Sequence, residues 1–381
     1  MTLYRYCHAH QNLINRDNYV YLHKPHCFTN WYATAADRPT QSRPNGQPII
    51  EAFEYQHDSK VLSQTRRYMV SLPERYHASR RQFPVLYVID ADFQFQHVSA
   101  IVKNITRMGK FPPTIVVGVA NQGTDDYVKK TTWPSEDNPA FCDAEPFNQY
   151  LQNELLPLID KEYRTNEDKA LAGYSLGGLF TLHSLVQDTS PFNAYLAMSP
   201  SAWYDDYGIA TKLKTKLAKD KIKAPVFLSV ANEKEMGVDK LVSVFEQSAP
   251  EALRWQFKHY PDENHFTTAL PAFYDALQFL APGYAVDGGA MLDIGDYKQV
   301  LAHLKTLRSQ WGGFQFEWLH AYQFAKYMFW SKQVEKIDDA MALIAADFPE
   351  STAMVGVHLA NGLNKKNQYE KAKALLASIK A

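Results

Sequence analysis

The chain has 381 residues, 46% hydrophobic and 21% charged, with a formal net charge of −1. That length holds one large α/β domain with an appendage, or two to three small domains, and the composition fits a globular protein with a sizeable core. The near-neutral charge gives no footing for nucleic acid or an anionic membrane surface, and three scattered cysteines (Cys7, Cys27, Cys142) argue against a disulfide framework or a zinc site.

Residues 1–48 are polar, rich in histidine and aromatics, and lack sustained periodicity. They end in "DRPTQSRPNGQP" and read as a poorly structured N-terminal extension. The first residues carry no continuous apolar run of the secretory type. No stretch reaches the roughly 18 apolar residues of a membrane span, so a cytoplasmic location is expected.

From residue 49 the pattern changes. "QTRRYMVSLP" alternates as a strand does, while "FPVLYVID" and "TIVVGVA" are short Val- and Ile-rich runs suited to strands buried on both faces. "FNQYLQNELLPLIDKEY" has helical spacing. "KALAGYS", "AYLAMSP" and "APVFLSVA" are further buried strands, with the helix "LGGLFTLHSLV" after the first, and "LPAFYDALQFLAP" closes the region as a helix. Alternating strands and helices predict a mostly parallel sheet covered on both faces, an α/β domain over 49–283. After the Gly-rich break "APGYAVDGG", residues 290–381 read as helical throughout. Their last pair, with Ala360, Leu363, Tyr369 and Ala372, is similar to one degenerate tetratricopeptide repeat. One such repeat is too few for an array, so a small helical cap docked on the main domain is expected.

"GYSLGG" places Ser175 between Gly173 and Gly177 at G-x-S-x-G spacing, where a buried strand runs in and a helix leaves. That is the setting of a nucleophile elbow: the sharp turn needs small neighbours, and the helix N-terminus aims N–H groups at developing negative charge. A serine hydroxyl needs a base. "QFKHYPDENHFTTALPAF" offers His259, inside a strand-like run, and His265, on a loop after "PDEN"; the loop residue is the better base. The acid should lie between them at a strand end. "PVFLSVANEKEMG" supplies Glu235, slightly preferred, and Glu233, which one intervening residue turns to a different side. The loop after "PVLYVID" is expected to bring a backbone N–H of Ala91, Asp92 or Phe93 to the oxyanion, with Leu176 supplying the other. Asp90 and Asp92 have no third ligand at metal spacing, and this chemistry calls for neither metal nor cofactor.

These segments occur in an order that resembles the esterase branch of the α/β-hydrolases, which takes in enterochelin (trilactone siderophore) esterases, S-formylglutathione hydrolases and mycolyltransferases. The matching stretches are "RRYMVSLPERY", "FPVLYVIDADFQFQHVSAIV", "PPTIVVGV", "ALAGYSLGGLFTLHSLV", "AMSPSAWY" and "DENHFTTALPAFYDAL". The resemblance is greatest to siderophore-esterase-like bacterial members. It implies the α/β-hydrolase fold, Ser175 as nucleophile, His265 as base, oxyanion donors at Asp92 or Phe93 and Leu176, and an acid whose position varies. Trp203 in "SPSAWY" matches a family aromatic and is implied to line the substrate pocket, with Tyr174 beside the nucleophile. The chain departs from its relatives after "VVGV", where "NQGTDDYVKKTTWPSEDNP" lacks their arginine. There Lys129 or Lys130 offers only a point charge, and Trp133 and Tyr127 are expected to make the rim more apolar.

The reading is therefore a serine hydrolase that cleaves small-molecule carboxylic esters through an acyl-enzyme. Two alternatives use the same chain: a thioesterase or acyltransferase with the same residues, and a non-catalytic module whose helical tail serves a protein partner or self-association.

Overall fold

A computed structural model describes residues 49–78, 80–141, 143–219 and 222–379. The extension read from residues 1–48, and all three cysteines, lie outside that set.

Eight strands form one sheet: β1 (Phe53–Ser59), β2 (Gln64–Ser71), β3 (Phe83–Ile89), β4 (Ile115–Val119), β5 (Thr165–Tyr174), β6 (Ala194–Met198), β7 (Val226–Ala231) and β8 (Trp255–Tyr260). Their spatial order is β1-β2-β4-β3-β5-β6-β7-β8. The β1/β2 and β2/β4 pairs are antiparallel and every other pair is parallel. β3, β4 and β6 are buried at every position, which is why they read as continuous apolar runs rather than alternating ones. β1 escaped the sequence reading for the opposite reason. It is an edge strand, "FEYQHDS", exposed along most of its length, so no apolar period marks it.

The covering helices are α1 (Ala91–Arg107), α2 (Thr124–Thr131), α3 (Ala144–Tyr150), α4 (Leu156–Glu162), α5 (Leu176–Val186), α6 (Tyr204–Lys219), α7 (Val238–Ser248) and α8 (Ala269–Leu280), with a π-helical turn, Leu151–Leu155, joining α3 to α4. Strand alternation sorts the core into two layers. Val85, Tyr87 and Ile89 pack with Phe147, Phe180 and Leu213 on one face. Leu86 and Val88 pack with Phe95, Val98, Phe273 and Leu277 on the other.

Six more helices follow: α9 (Gly288–Ile294), α10 (Tyr297–Thr306), α11 (Trp318–Trp330), α12 (Ile337–Asp347), α13 (Thr352–Lys365) and α14 (Tyr369–Ser378). Asp287 and Asp296 start the first two, each accepting a backbone N–H of the opening turn. Met291, Leu304, Phe314, Phe324 and Leu359 share one apolar cluster with Val88, Phe95 and Phe273, so the core of the helical segment is continuous with that of the α/β domain. Polar ties cross the seam as well. The Gly312 N–H donates to Asp168 at 2.9 Å, Arg81 pairs with Glu317 at 2.5 Å, and buried His320 donates from Nε2 to the Gly109 carbonyl at 2.9 Å. Among the described residues no helix is long and apolar enough to cross a membrane.

Candidate active site

The parallel strands β3, β5, β6, β7 and β8 all end at one edge of the sheet, and ligand sites of such sheets form outside the carboxyl ends of their strands. β5 ends at Tyr174 and α5 begins at Leu176, leaving Ser175 alone in the connection with φ 57° and ψ −121°. An L-residue rarely adopts that conformation, and it persists here because both flanks are packed. Gly173 permits the turn, since a Cβ there would overlap the Gly177 carbonyl.

His265 stands on the loop between β8 and α8. Its Nε2 is 3.0 Å from Ser175 Oγ and its Nδ1 is 2.8 Å from Glu233 Oε2. The neutral Nδ1–H tautomer satisfies both contacts: Ser175 donates to Nε2 and Nδ1 donates to the carboxylate. The Glu233 side chain is 7% exposed and that of His265 31%, so the carboxylate is sheltered while the imidazole meets solvent. A backbone bond holds the two loops together, the Asn232 N–H donating to the Glu263 carbonyl at 2.9 Å. The arrangement can move a proton from a serine hydroxyl to imidazole while a fixed carboxylate balances the charge.

The family model described as "Putative esterase" matches residues 59–280. The chain belongs to this family. A crystal structure of an IroE-like serine hydrolase from Shewanella oneidensis is 25% identical and superposes with a TM-score of 0.65, covering 77% of this chain and 98% of that one. The BES protein from Bacillus cereus is 26% identical, with a TM-score of 0.55 over 62% of this chain and 97% of its own. Ferri-bacillibactin esterase BesA of Bacillus subtilis is 24% identical over 229 residues, which is 52% of this chain and 78% of that protein. The chain is a carboxylic-ester hydrolase with the α/β-hydrolase fold.

Within this esterase, the structure departs from expectation at the glutamate beside His265. Glu233, not the slightly preferred Glu235, meets His265. Glu235 is exposed, with backbone φ 62°. His259 lies in β8.

The first turn of α1 distinguishes the two N–H groups expected to face an oxyanion. Asp90 leaves β3 in a left-handed conformation (φ 64°), and the Phe93 N–H is already spent on the Asp90 carbonyl at 3.1 Å. The Asp92 N–H lies earlier in that first turn, where no intrahelical acceptor exists, and Leu176 is the first residue of α5. Asp92 is itself anchored: its carboxylate accepts from Arg67 and from the Asn121 N–H, both at 2.8 Å.

Two residues expected at the rim are tied into the fold by their polar groups. Trp133 is 6% exposed and stacks on His183 with centroids 5.3 Å apart, while its Nε1 donates to Asp205 at 2.7 Å. Tyr127 braces the elbow. Its hydroxyl accepts from the Gly177 N–H at 2.9 Å and donates to the Tyr174 carbonyl at 3.1 Å, and burial raises the phenol far above its usual range. Lys130, considered as a substitute for the missing arginine, is buried against Asp143 at 2.8 Å. The Tyr174 ring lies 5.0 Å from the His265 ring, and Trp203 is half-buried just beyond Ser201. Ser199, which bonds Glu233, and Ser201, which meets Ser175, carry no local sequence signal beyond their place in "SPSAWY". A cavity of about 300 Å³ lies elsewhere, between Ser71–Arg75, α1 and the start of α11, and no relay residue lines it.

Proposed function

We propose that Ser175, His265 and Glu233 act as nucleophile, base and acid in cleaving a siderophore ester. The observation that carries this reading is the unbroken relay of 3.0 Å and 2.8 Å from serine to imidazole to carboxylate. Ser175 Oγ attacks the ester carbonyl as His265 Nε2 takes its proton. The N–H groups of Asp92 and Leu176 receive the oxyanion, and imidazolium then protonates the departing alcohol. Water repeats the sequence on the acyl-enzyme.

The substrate class is supported by the relatives, whose names include a ferri-bacillibactin esterase and a siderophore triacetylfusarinine C esterase of Aspergillus fumigatus. Two aromatic side chains next to the proposed machinery fit an apolar or aromatic acyl group: Phe93 is 78% exposed and Phe266 is 87% exposed. Tyr174 and Trp203 complete the proposed pocket. We read 49–283 as the catalytic unit and 290–381 as a cap on it, supported by their common apolar cluster.

The test is hydrolysis of p-nitrophenyl butyrate and of a trilactone siderophore by wild type and Ser175→Ala. Loss of roughly 10³-fold or more in kcat on both substrates is expected. Unchanged trilactone cleavage by Ser175→Ala would refute the assignment of the nucleophile.

A further inference from the structure

The turn Ser199-Pro200-Ser201 carries the chain out of β6 between the nucleophile and the acid. Ser199 is fully buried at φ 40° and Ser201 is 3% exposed. At the acid end, Ser199 Oγ donates to Glu233 Oε1 at 3.0 Å, and its N–H donates to the Ser229 carbonyl of β7 at 3.0 Å. At the nucleophile end, the Ser201 N–H donates to the Ser175 carbonyl at 3.1 Å, and the two Oγ atoms are 3.3 Å apart. Ser175 returns a bond, its N–H donating to the Met198 carbonyl at 3.0 Å. Gly178 lets the turn lie this close to α5, because a Cβ there would come within 3.0 Å of the Met198 carbonyl and 3.1 Å of Pro200 Cα.

A carboxylate has two equivalent oxygens, and its terminal torsion is broad and two-fold, so a histidine donor alone does not fix its plane. A second donor on Oε1 does. Ser175 has one proton, which goes to His265, so the Ser201 hydroxyl is the donor in the Oγ–Oγ contact. Left-handed backbone at a buried serine costs stability and persists only where its surroundings over-determine it, as active-site segments commonly do.

We propose that this turn is a strut linking the two ends of the relay, and that Ser199 is a positioning residue which turns Glu233 Oε2 toward His265. The proposal rests on the reading of Ser175, His265 and Glu233 as the relay. Ser199 touches neither substrate nor reacting atoms and acts only through the acid.

The experiment measures kcat and KM for p-nitrophenyl butyrate with the full chain as wild type, Ser199→Ala, Ser199→Gly, Glu233→Ala and the Ser199→Ala/Glu233→Ala double variant. A hydrogen bond to a charged group is lost, so Ser199→Ala should lower kcat about tenfold with KM within about twofold. Ser199→Gly should fall equally: glycine relieves the φ but restores no hydroxyl. With the acid gone, Ser199→Ala should change kcat by less than about twofold, since the pair is coupled. Wild-type kcat in Ser199→Gly, or an equal loss from Ser199→Ala with and without the acid, overturns the strut. Impaired Glu233→Ala beside an unimpaired Ser199→Ala removes the strut and leaves the relay. Unimpaired Glu233→Ala removes both.

Discussion

Glu233 and His265 are 32 residues apart in the chain, yet the carboxylate Oε2 lies 2.8 Å from imidazole Nδ1. The contact exists because β7 and β8 are parallel neighbours, so the loops leaving their carboxyl ends emerge side by side. Glu233→Gln keeps the shape and puts an amide against Nδ1, so a kcat loss of roughly 10²–10⁴-fold is expected. Glu235→Gln, out of contact, should stay within about twofold. Steady-state rates on p-nitrophenyl butyrate decide it. The reverse ranking would return the acid role to Glu235.

Tyr127 and Trp133 should separate site from scaffold. Tyr127→Phe strands the Gly177 N–H and the Tyr174 carbonyl, which is expected to cost about 1–3 kcal/mol of stability and to lower kcat by loosening the elbow. Trp133→Ala empties a core position and should cost about 3–5 kcal/mol while leaving the KM of the folded fraction unchanged. Thermal melts and Michaelis profiles of both variants are the measurement. A raised KM in Trp133→Ala with no loss of stability would restore that residue to the pocket.

Asp90 predicts a pH dependence. Its carboxyl is pushed up to about 6, first by burial and then by the charge of Asp92, against the pull of hydrogen bonds from Gln94 and Asn121. The folded state therefore binds this proton more tightly than the unfolded chain, whose group titrates near 3.8. Stability from this group is full below that value and lost as pH rises through about 6. Asp90→Asn removes the buried charge, so it should exceed wild type in stability by up to roughly 3 kcal/mol above that window, the gap closing toward about pH 4. Urea unfolding at about pH 8 and about pH 4 tests the sign. A gap that widens at the lower pH contradicts it.

Truncation after residue 289 tests the cap. Phe314, Phe324 and Leu359 share their cluster with Phe95 and Phe273, and each large side chain so buried contributes roughly 1.5–3 kcal/mol. The truncated chain should aggregate or melt far below wild type. A monomeric, fully active 1–289 fragment would make the helical segment separable.

Much of this molecule is written locally. The elbow is a property of six residues: two small neighbours, a buried strand before them and a helix after, and the helix over Leu176–Val186 has the bounds its sequence predicts. The inner strands announce themselves because burial on both faces demands short uninterrupted apolar runs. His265 was readable from its place on a turn-rich loop just before a helix. The exposed edge strand β1 was not, because no apolar period encodes it. Tertiary structure alone chose Glu233 over Glu235, through a left-handed step in the loop and the adjacency of β7 and β8. It also turned Trp133 and Lys130 into the core, set the Tyr127 hydroxyl across the elbow and brought Ser199 to the acid 34 residues away. Sequence periodicity reports which face of an element meets the core. The partner a polar side chain finds depends on strand order and loop backbone across tens of residues, and no local pattern carries that.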